Sequence, residues 1–140
     1  MFSRIVVGID GHDGGTDAME LAEGLAAAGA QIILVNAYPY EDERASEGAL
    51  RGFEELLRDE ALERLRAVGG EDRFTLRAVP CLSPARALHA EAERADADLI
   101  VVGSCRRGAL GRMLLGDVSR AVLHGARCPV AVAPSGQRDA

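Results

Sequence analysis

The sequence contains no lysine; all 16 basic residues are arginine. This excludes a Schiff-base lysine and a phosphate-binding loop of the Gly-Lys-Ser/Thr kind. Tryptophan is absent too, and aromatic residues make up only 4% of the chain, so the core has to be built from Ala, Val, Leu and Ile. Cysteine is scarce and odd in number. Cys81, Cys105 and Cys128 have no short paired spacing, so neither a disulfide framework nor a zinc site is expected. They read as small packed hydrophobes, with Cys105 the one to test for reactivity. Positive charge is in deficit: 22 acidic residues leave a net charge of -6. Nucleic acid is therefore not expected as a partner, because phosphate backbones are held by clustered positive charge. No apolar run reaches the roughly 18 to 20 residues of a membrane span. The first residues read straight into a strand without a charged and apolar leader, so a cytoplasmic location is expected. His12, His89 and His124 are scattered, without ligand spacing or an evident acid partner. No metal site and no catalytic residue is expected from them.

What is present is an alternation of apolar runs and helical periodicity. "RIVVGID" (Arg4 to Asp10) reads as a buried strand that opens into the glycine-rich turn "GHDGG". Ala18, Leu21, Ala22, Leu25 and Ala26 then recur at helical spacing, with Asp13 or Thr16 as cap and Gly29 as the stop. "QIILVNA" (Gln31 to Ala37) is a second buried strand, followed by the polar loop "YPYEDERAS". Leu50, Phe53, Leu57, Ala61, Leu65 and Val68 form one stripe of a long amphipathic helix, stopped by Gly69 and Gly70. "RFTLRAVP" (Arg73 to Pro80) alternates more and suits an edge strand ending at its proline. Ser83 and Pro84 are a cap and a first helical residue for the next helix. "ADLIVVGS" (Ala97 to Ser104) is the most apolar strand and is placed centrally. "VSRAVLHGA" is helical, "CPVAVAP" (Cys128 to Pro134) is the last strand, and residues 135–140 read as a tail.

A chain of 140 residues in this pattern predicts one domain, 1–140. Strict alternation predicts an α/β fold: a doubly wound, five-stranded parallel sheet with helices on both faces. Right-handed crossovers leave the orders 3-2-1-4-5 and 2-1-3-4-5. In such sheets ligands sit beyond the C-terminal strand ends, where the order reverses. If strands 1 and 4 are neighbours, Asp10 with its glycine turn meets the loop after Val102 and Gly103. Ala37 then lines the same mouth.

"RIVVGIDG", "ADLIVVGS" and "LLGDVSRAVLHGARCPVAVAP", in that order, resemble a universal stress protein domain over Arg4 to Pro134. The resemblance implies order 3-2-1-4-5, a tendency to bind adenine nucleotides, and a homodimer formed through the last strand, Pro129 to Ala133. ATP-binding members of that family carry Gly-x2-Gly-x9-Gly-Ser/Thr. Here the first and third glycines match Gly103 and Gly116, the second falls on Arg106, and the hydroxyl position falls on Asp117. A further glycine that often precedes the third helix is Leu82. Asp10 matches the acid that meets the adenosine part of the ligand.

Each departure has a physical meaning. Glycine lets backbone amides approach a phosphate without a Cβ, and Arg106 gives up that freedom. Its guanidinium can contact phosphate from the side, pair with Asp117, or simply be solvated. An ionised Asp117 donates no hydrogen bond and repels phosphate, and as a helix N-cap it would occupy the amides itself. Ser119 and Arg120, one turn into that helix, are further candidates for the pocket. For Asp10 the alternative to adenosine contact is capping of the glycine turn.

The expected function is a small cytoplasmic stress-response or regulatory domain that binds an adenine nucleotide, ATP or AMP-like. Its nucleotide-binding set is Asp10, Ala37, Val102, Gly103, Arg106, Gly116 and Asp117. The alternative is a dimeric interaction module of the same fold without nucleotide. A weak ATPase is least supported: no base is evident, and magnesium would have only the Asp117 carboxylate in place of a hydroxyl.

Overall fold

A short apolar run bounded by turn residues becomes a buried strand, and a 3.6-residue stripe becomes a helix laid over it. The computed structural model describes residues 1–10, 14–40, 48–107 and 113–134. Strand β1 (Phe2–Gly8) leads into helix α1 (Gly14–Leu25), and β2 (Ala26–Tyr38) into α2 (Gly48–Val68). Then come β3 (Thr75–Pro80), α3 (Pro84–Ala95), β4 (Leu99–Arg107), the short β5 (Met113–Leu115), α4 (Asp117–Leu123) and β6 (Val130–Pro134).

The five long strands are parallel and lie in the order β3-β2-β1-β4-β6. With the last strand counted fifth, this is the expected 3-2-1-4-5. The direction of winding reverses between β1 and β4, so the helices fall on opposite faces. Ile5, Val7 and Ile9 of the first strand run pack with Leu34, Ala18, Ala22 and Leu65 on the α1 and α2 side. Val6, Ile33 and Val35 point the other way, to Leu88, Ala92 and Val122 on the α3 and α4 side. That is why these strands read as continuous apolar runs: both faces are covered. Each fully buried Val, Leu or Ile stabilises the fold by about 1.5–3 kcal/mol.

The start of α3 follows its sequence signal. Ser83 Oγ accepts the Arg86 backbone N–H at 3.3 Å, and Pro84 takes the first helical position. The helix ends at Asp96, in the left-handed conformation at φ 53. An ion cluster anchors it to β3. Glu91, 4% exposed, receives Arg77 at 2.9 Å and Arg94 at 2.9 Å. Burial by itself would push the Glu91 carboxyl up, but the two guanidiniums outweigh it and hold it below its ordinary 4.5.

Several boundaries differ from the sequence reading. Helix α1 stops at Leu25, four residues before Gly29, and β2 begins at Ala26. The register shifts between the pairs Phe2↔Ala26 and Arg4↔Gln31, and Gly29 at φ 76 lies in that irregular lead-in. The glycine therefore serves a turn inside the strand's approach rather than the helix end. Thr16 is inside α1 and is not its cap; Asp13 lies outside the described residues. Tyr38, assigned to the polar loop, is the buried end of β2, and its hydroxyl donates to Glu54 at 2.7 Å. Phe53, expected on the buried stripe of α2, is 53% exposed, because the packed part of that helix lies nearer its C-terminus, at Ala61 and Leu65. The stretch after Gly103, expected as a loop, continues β4 to Arg107, where Cys105, Arg106 and Arg107 pair antiparallel with β5. The tail after Pro134 and most of the polar loop after Tyr40 lie outside the described residues.

Candidate functional site

Where β1 and β4 part at their C-terminal ends, a cleft of about 130 Å³ opens. Gly8, Ile9 and Asp10 bring the end of β1 to it; Val35, Asn36 and Ala37 bring β2. Leu88 and Pro84 of α3, Val102 of β4 and Val118 of α4 close the remaining sides. The walls are mostly apolar side chains, with the exposed Asp10 carboxyl at the mouth. Gly8 leaves room for Leu88 here: a Cβ at position 8 would lie 2.8 Å from Leu88 Cδ1, and that side chain would have to shift. The leucine side chain occupies the space that a larger residue at position 8 would claim.

Three of the residues singled out from the sequence, Asp10, Ala37 and Val102, line this cleft. The other four do not stand among its lining residues. Gly103 is buried within β4, one residue beyond Val102. Arg106 is a β4 residue paired with Leu114 along the backbone, and its side chain lies outside the described part. Gly116 is the N-cap of α4, and no side chain caps that helix. Asp117 is thus the first helical residue, exposed, and not the cap expected of it. Leu82 is 59% exposed. Ser119 is fully buried on α4, and its hydroxyl finds no partner among the described residues; Arg120 is exposed.

Sequence reasoning missed Gly8, Val35, Asn36 and Leu88. Asn36 carried a usable signal, a polar residue inside the apolar run "IILVNA". Its Nδ2 donates to the Ile9 carbonyl at 2.5 Å, and its Oδ1 accepts from Arg64 of α2 at 3.1 Å. The other three are hidden because an apolar strand or helix residue facing a cleft looks the same as one facing the core.

A second depression, of about 250 Å³, lies at the opposite end of the sheet, between the C-terminal half of α3 and the α4–β6 connection. His89, Glu93, Asp96, Arg127 and Cys128 line it. Three of these polar side chains are already paired within the fold. His89 Nε2 donates to the Val122 carbonyl at 2.7 Å, giving this histidine the partner that its sequence context did not reveal. Arg127 pairs with Glu93 at 3.1 Å. Burial and the nearby Asp98 push the Cys128 thiol up, which makes it a poor nucleophile. Cys81 and Cys128 are free thiols, both half-buried; the Cys105 side chain lies outside the described part. Among the described residues no group of three His, Cys, Asp or Glu side chains is placed to hold a metal ion. No described helix is long and apolar enough to cross a membrane.

The family model for the universal stress protein family matches residues 1–134. The chain belongs to this family. A universal stress protein of Mycobacterium tuberculosis (strain H37Rv) is 37% identical over 137 residues, 92% of this chain but 44% of the relative. The chain thus spans less than half the length of that mycobacterial protein. A universal stress protein of Thermus aquaticus is 36% identical over 140 residues, covering 93% of this chain and 97% of its own length. Among solved structures, a universal stress protein in complex with cAMP superposes with a TM-score of 0.61 at 28% identity, over 96% of this chain and 98% of the other. Members of the family therefore include an adenine nucleotide binder of the same fold.

Proposed function

We infer that this universal stress domain binds an adenine nucleotide in the cleft between β1 and β4. The observation that carries the reading is the coincidence of three things at one place. The cleft lies at the reversal point of the sheet, where open α/β folds take their ligands. Its walls are apolar and its mouth carries one carboxylate, as a base with a hydroxyl-bearing sugar requires. A relative of the same fold is known in complex with cAMP.

In this reading the base lies against Val35, Ala37, Leu88 and Val102, and Asp10 accepts hydrogen bonds from the sugar hydroxyls. Gly103 and Gly116 offer backbone amides on the phosphate side, and Arg106 contributes a guanidinium. Asp117, exposed at the start of α4, disfavours added phosphates by like-charge repulsion. Titration calorimetry with ATP, ADP, AMP and cAMP tests the reading, and absence of heat at millimolar ligand overturns it. Asp117→Ser combined with Arg106→Gly is expected to raise ATP affinity more than AMP affinity. The role is regulatory and cytoplasmic, in keeping with the family and with thiols left unpaired at Cys81 and Cys128.

The second reading, a dimeric interaction module, draws on one feature of the sheet. Strand β6 pairs only with β4 among the described strands, and its sequence "VAVAP" carries no charge. An uncharged edge is a template for another strand, and a second copy through Pro129 to Ala133 satisfies it. Light scattering tests this: a monomer at assay concentration counts against it. The two readings are compatible, because the cleft and this edge are separate.

A further inference from the structure

The Ile9 peptide leaves β1 between two polar ties. Its N–H donates to the Val35 carbonyl at 2.8 Å, and its carbonyl accepts from Asn36 Nδ2 at 2.5 Å. The last backbone pair of the β1–β2 ladder is Gly8↔Val35. The Asn36 side chain thus supplies one more rung where the backbone ladder has ended. Asn36 is 4% exposed, so an unpaired acceptor at Ile9 would be costly there.

The amide has two possible orientations, and its two partners select the same one: the Ile9 carbonyl accepts only and so faces the nitrogen. A guanidinium has donors only. With Arg64 donating at 3.1 Å, the Asn36 oxygen must face α2 and the nitrogen must face Ile9. The peptide between Ile9 and Asp10 is planar and trans, so its C=O and N–H point in opposite directions. With the carbonyl drawn toward β2, the Asp10 N–H lies on the β4 side, where the cleft opens. Asn36, held at its oxygen by an arginine of the outer helix, thereby ties down a peptide plane at the mouth of the site.

We propose that Asn36, oriented by Arg64, is a positioning residue that sets the Ile9–Asp10 peptide for a nucleoside ligand. The ligand half of this proposal rests on the nucleotide reading above; the peptide half does not. Asn36→Asp keeps the size and the pairing with Arg64, but turns a carboxylate oxygen toward the Ile9 carbonyl where a donor stood. Adenosine affinity is expected to fall roughly ten- to hundredfold. The Asp10 backbone amide, read by ¹⁵N–¹H NMR without ligand, is expected to shift.

Adding Arg64→Met to that variant is expected to rescue it. Without the guanidinium a carboxyl this buried takes up a proton in mildly acidic buffer, and its O–H then donates to the Ile9 carbonyl. Glu60, the carboxylate 3.9 Å from the Arg64 guanidinium, remains on α2 in the double variant. Affinity should recover by roughly tenfold, and the Asp10 amide should return toward its original position. A merely structural role gives the opposite order, with the double variant no better than the single one. That order, or an Asp10 amide unmoved by Asn36→Asp, overturns the proposal.

If Asn36→Asp does not fold, Asn36→Ala decides the peptide half. It removes the donor to the Ile9 carbonyl without adding a charge, so an Asp10 amide left unmoved overturns the proposal and a displaced one supports it. If the parent protein binds neither adenosine nor AMP, the nucleotide reading falls, while the ligand-free amide shift still decides the positioning of Ile9 and Asp10.

Discussion

The two depressions at opposite ends of the sheet invert the usual expectation about size. The larger, about 250 Å³, is rich in charged and polar side chains; the smaller, about 130 Å³, is mostly apolar. Yet in the larger one Glu93 is committed to Arg127 and His89 to the Val122 carbonyl. The histidine ties α3 to α4, while the ion pair is exposed and contributes little. The smaller cleft lies where the strands diverge and places Asp10 beside an apolar slot. Helix α3 serves both ends: Leu88 faces one and His89 the other. Adjacent residues on one helix thus face different ends of the sheet, Leu88 the apolar cleft and His89 the polar depression.

That separation can be broken from either side. The largest effect is expected from Leu88→Ala, which removes a side chain that is 3% exposed. Chemical denaturation should show a loss of about 2–4 kcal/mol, and the widened cleft should bind adenosine more weakly. Next is His89→Ala, which cuts the tie to Val122. A loss of about 1–2 kcal/mol is expected, with adenosine affinity by calorimetry unchanged. A fall in affinity as large as that of Leu88→Ala would erase the division between the two ends.

Glu91 sharpens the comparison through pH. Its carboxyl is held below its ordinary 4.5 in the folded chain, so its contribution is fully present above that value. The contribution is lost as pH falls through the lower folded value. Denaturation measured against pH should therefore show an acid limb that Glu91→Gln flattens. An unchanged limb would mean that Arg77 and Arg94 contribute nothing through this carboxylate. The smallest effect is expected for Glu93→Gln at the rim of the larger depression. Its pairing with Arg127 is exposed on both sides, so stability should move by less than about 0.5 kcal/mol and adenosine affinity not at all.

Much of the architecture was legible because each strand and helix carries its own period and punctuation. Ser83 and Pro84 announce α3 whatever it packs against, and the apolar runs of β1, β2 and β4 announce strands covered on both faces. Legibility failed where a distant partner makes the decision. Gly29 looks like a helix stop, but the pairing of β2 with β1 draws the chain into a strand before that glycine is reached. The stretch Cys105 to Leu115 looks like a glycine loop, but its two ends pair as β4 and β5. Asp117 looks like a cap, yet Gly116 takes that place.

The same holds for the cleft. Asp10 is visible because a carboxylate after an apolar run stands out, and the expected place of the strand ends adds Ala37 and Val102. Leu88 and Val35 carry no local mark, since burial against a ligand slot and burial against a core select the same side chains. Asn36 does carry a mark, but its meaning depends on Ile9, 27 positions earlier, and on Arg64, 28 positions later. By itself the sequence determined an alternating α/β chain with a net charge of -6, and the family to which it belongs. Those are properties of composition and period, which act locally. Only the tertiary structure decided which apolar side chains line the cleft, which polar groups are already engaged, and which way the Ile9–Asp10 peptide faces. These depend on contacts between segments far apart in the chain, where hydrogen bonds and packing can be satisfied in one arrangement and not in others.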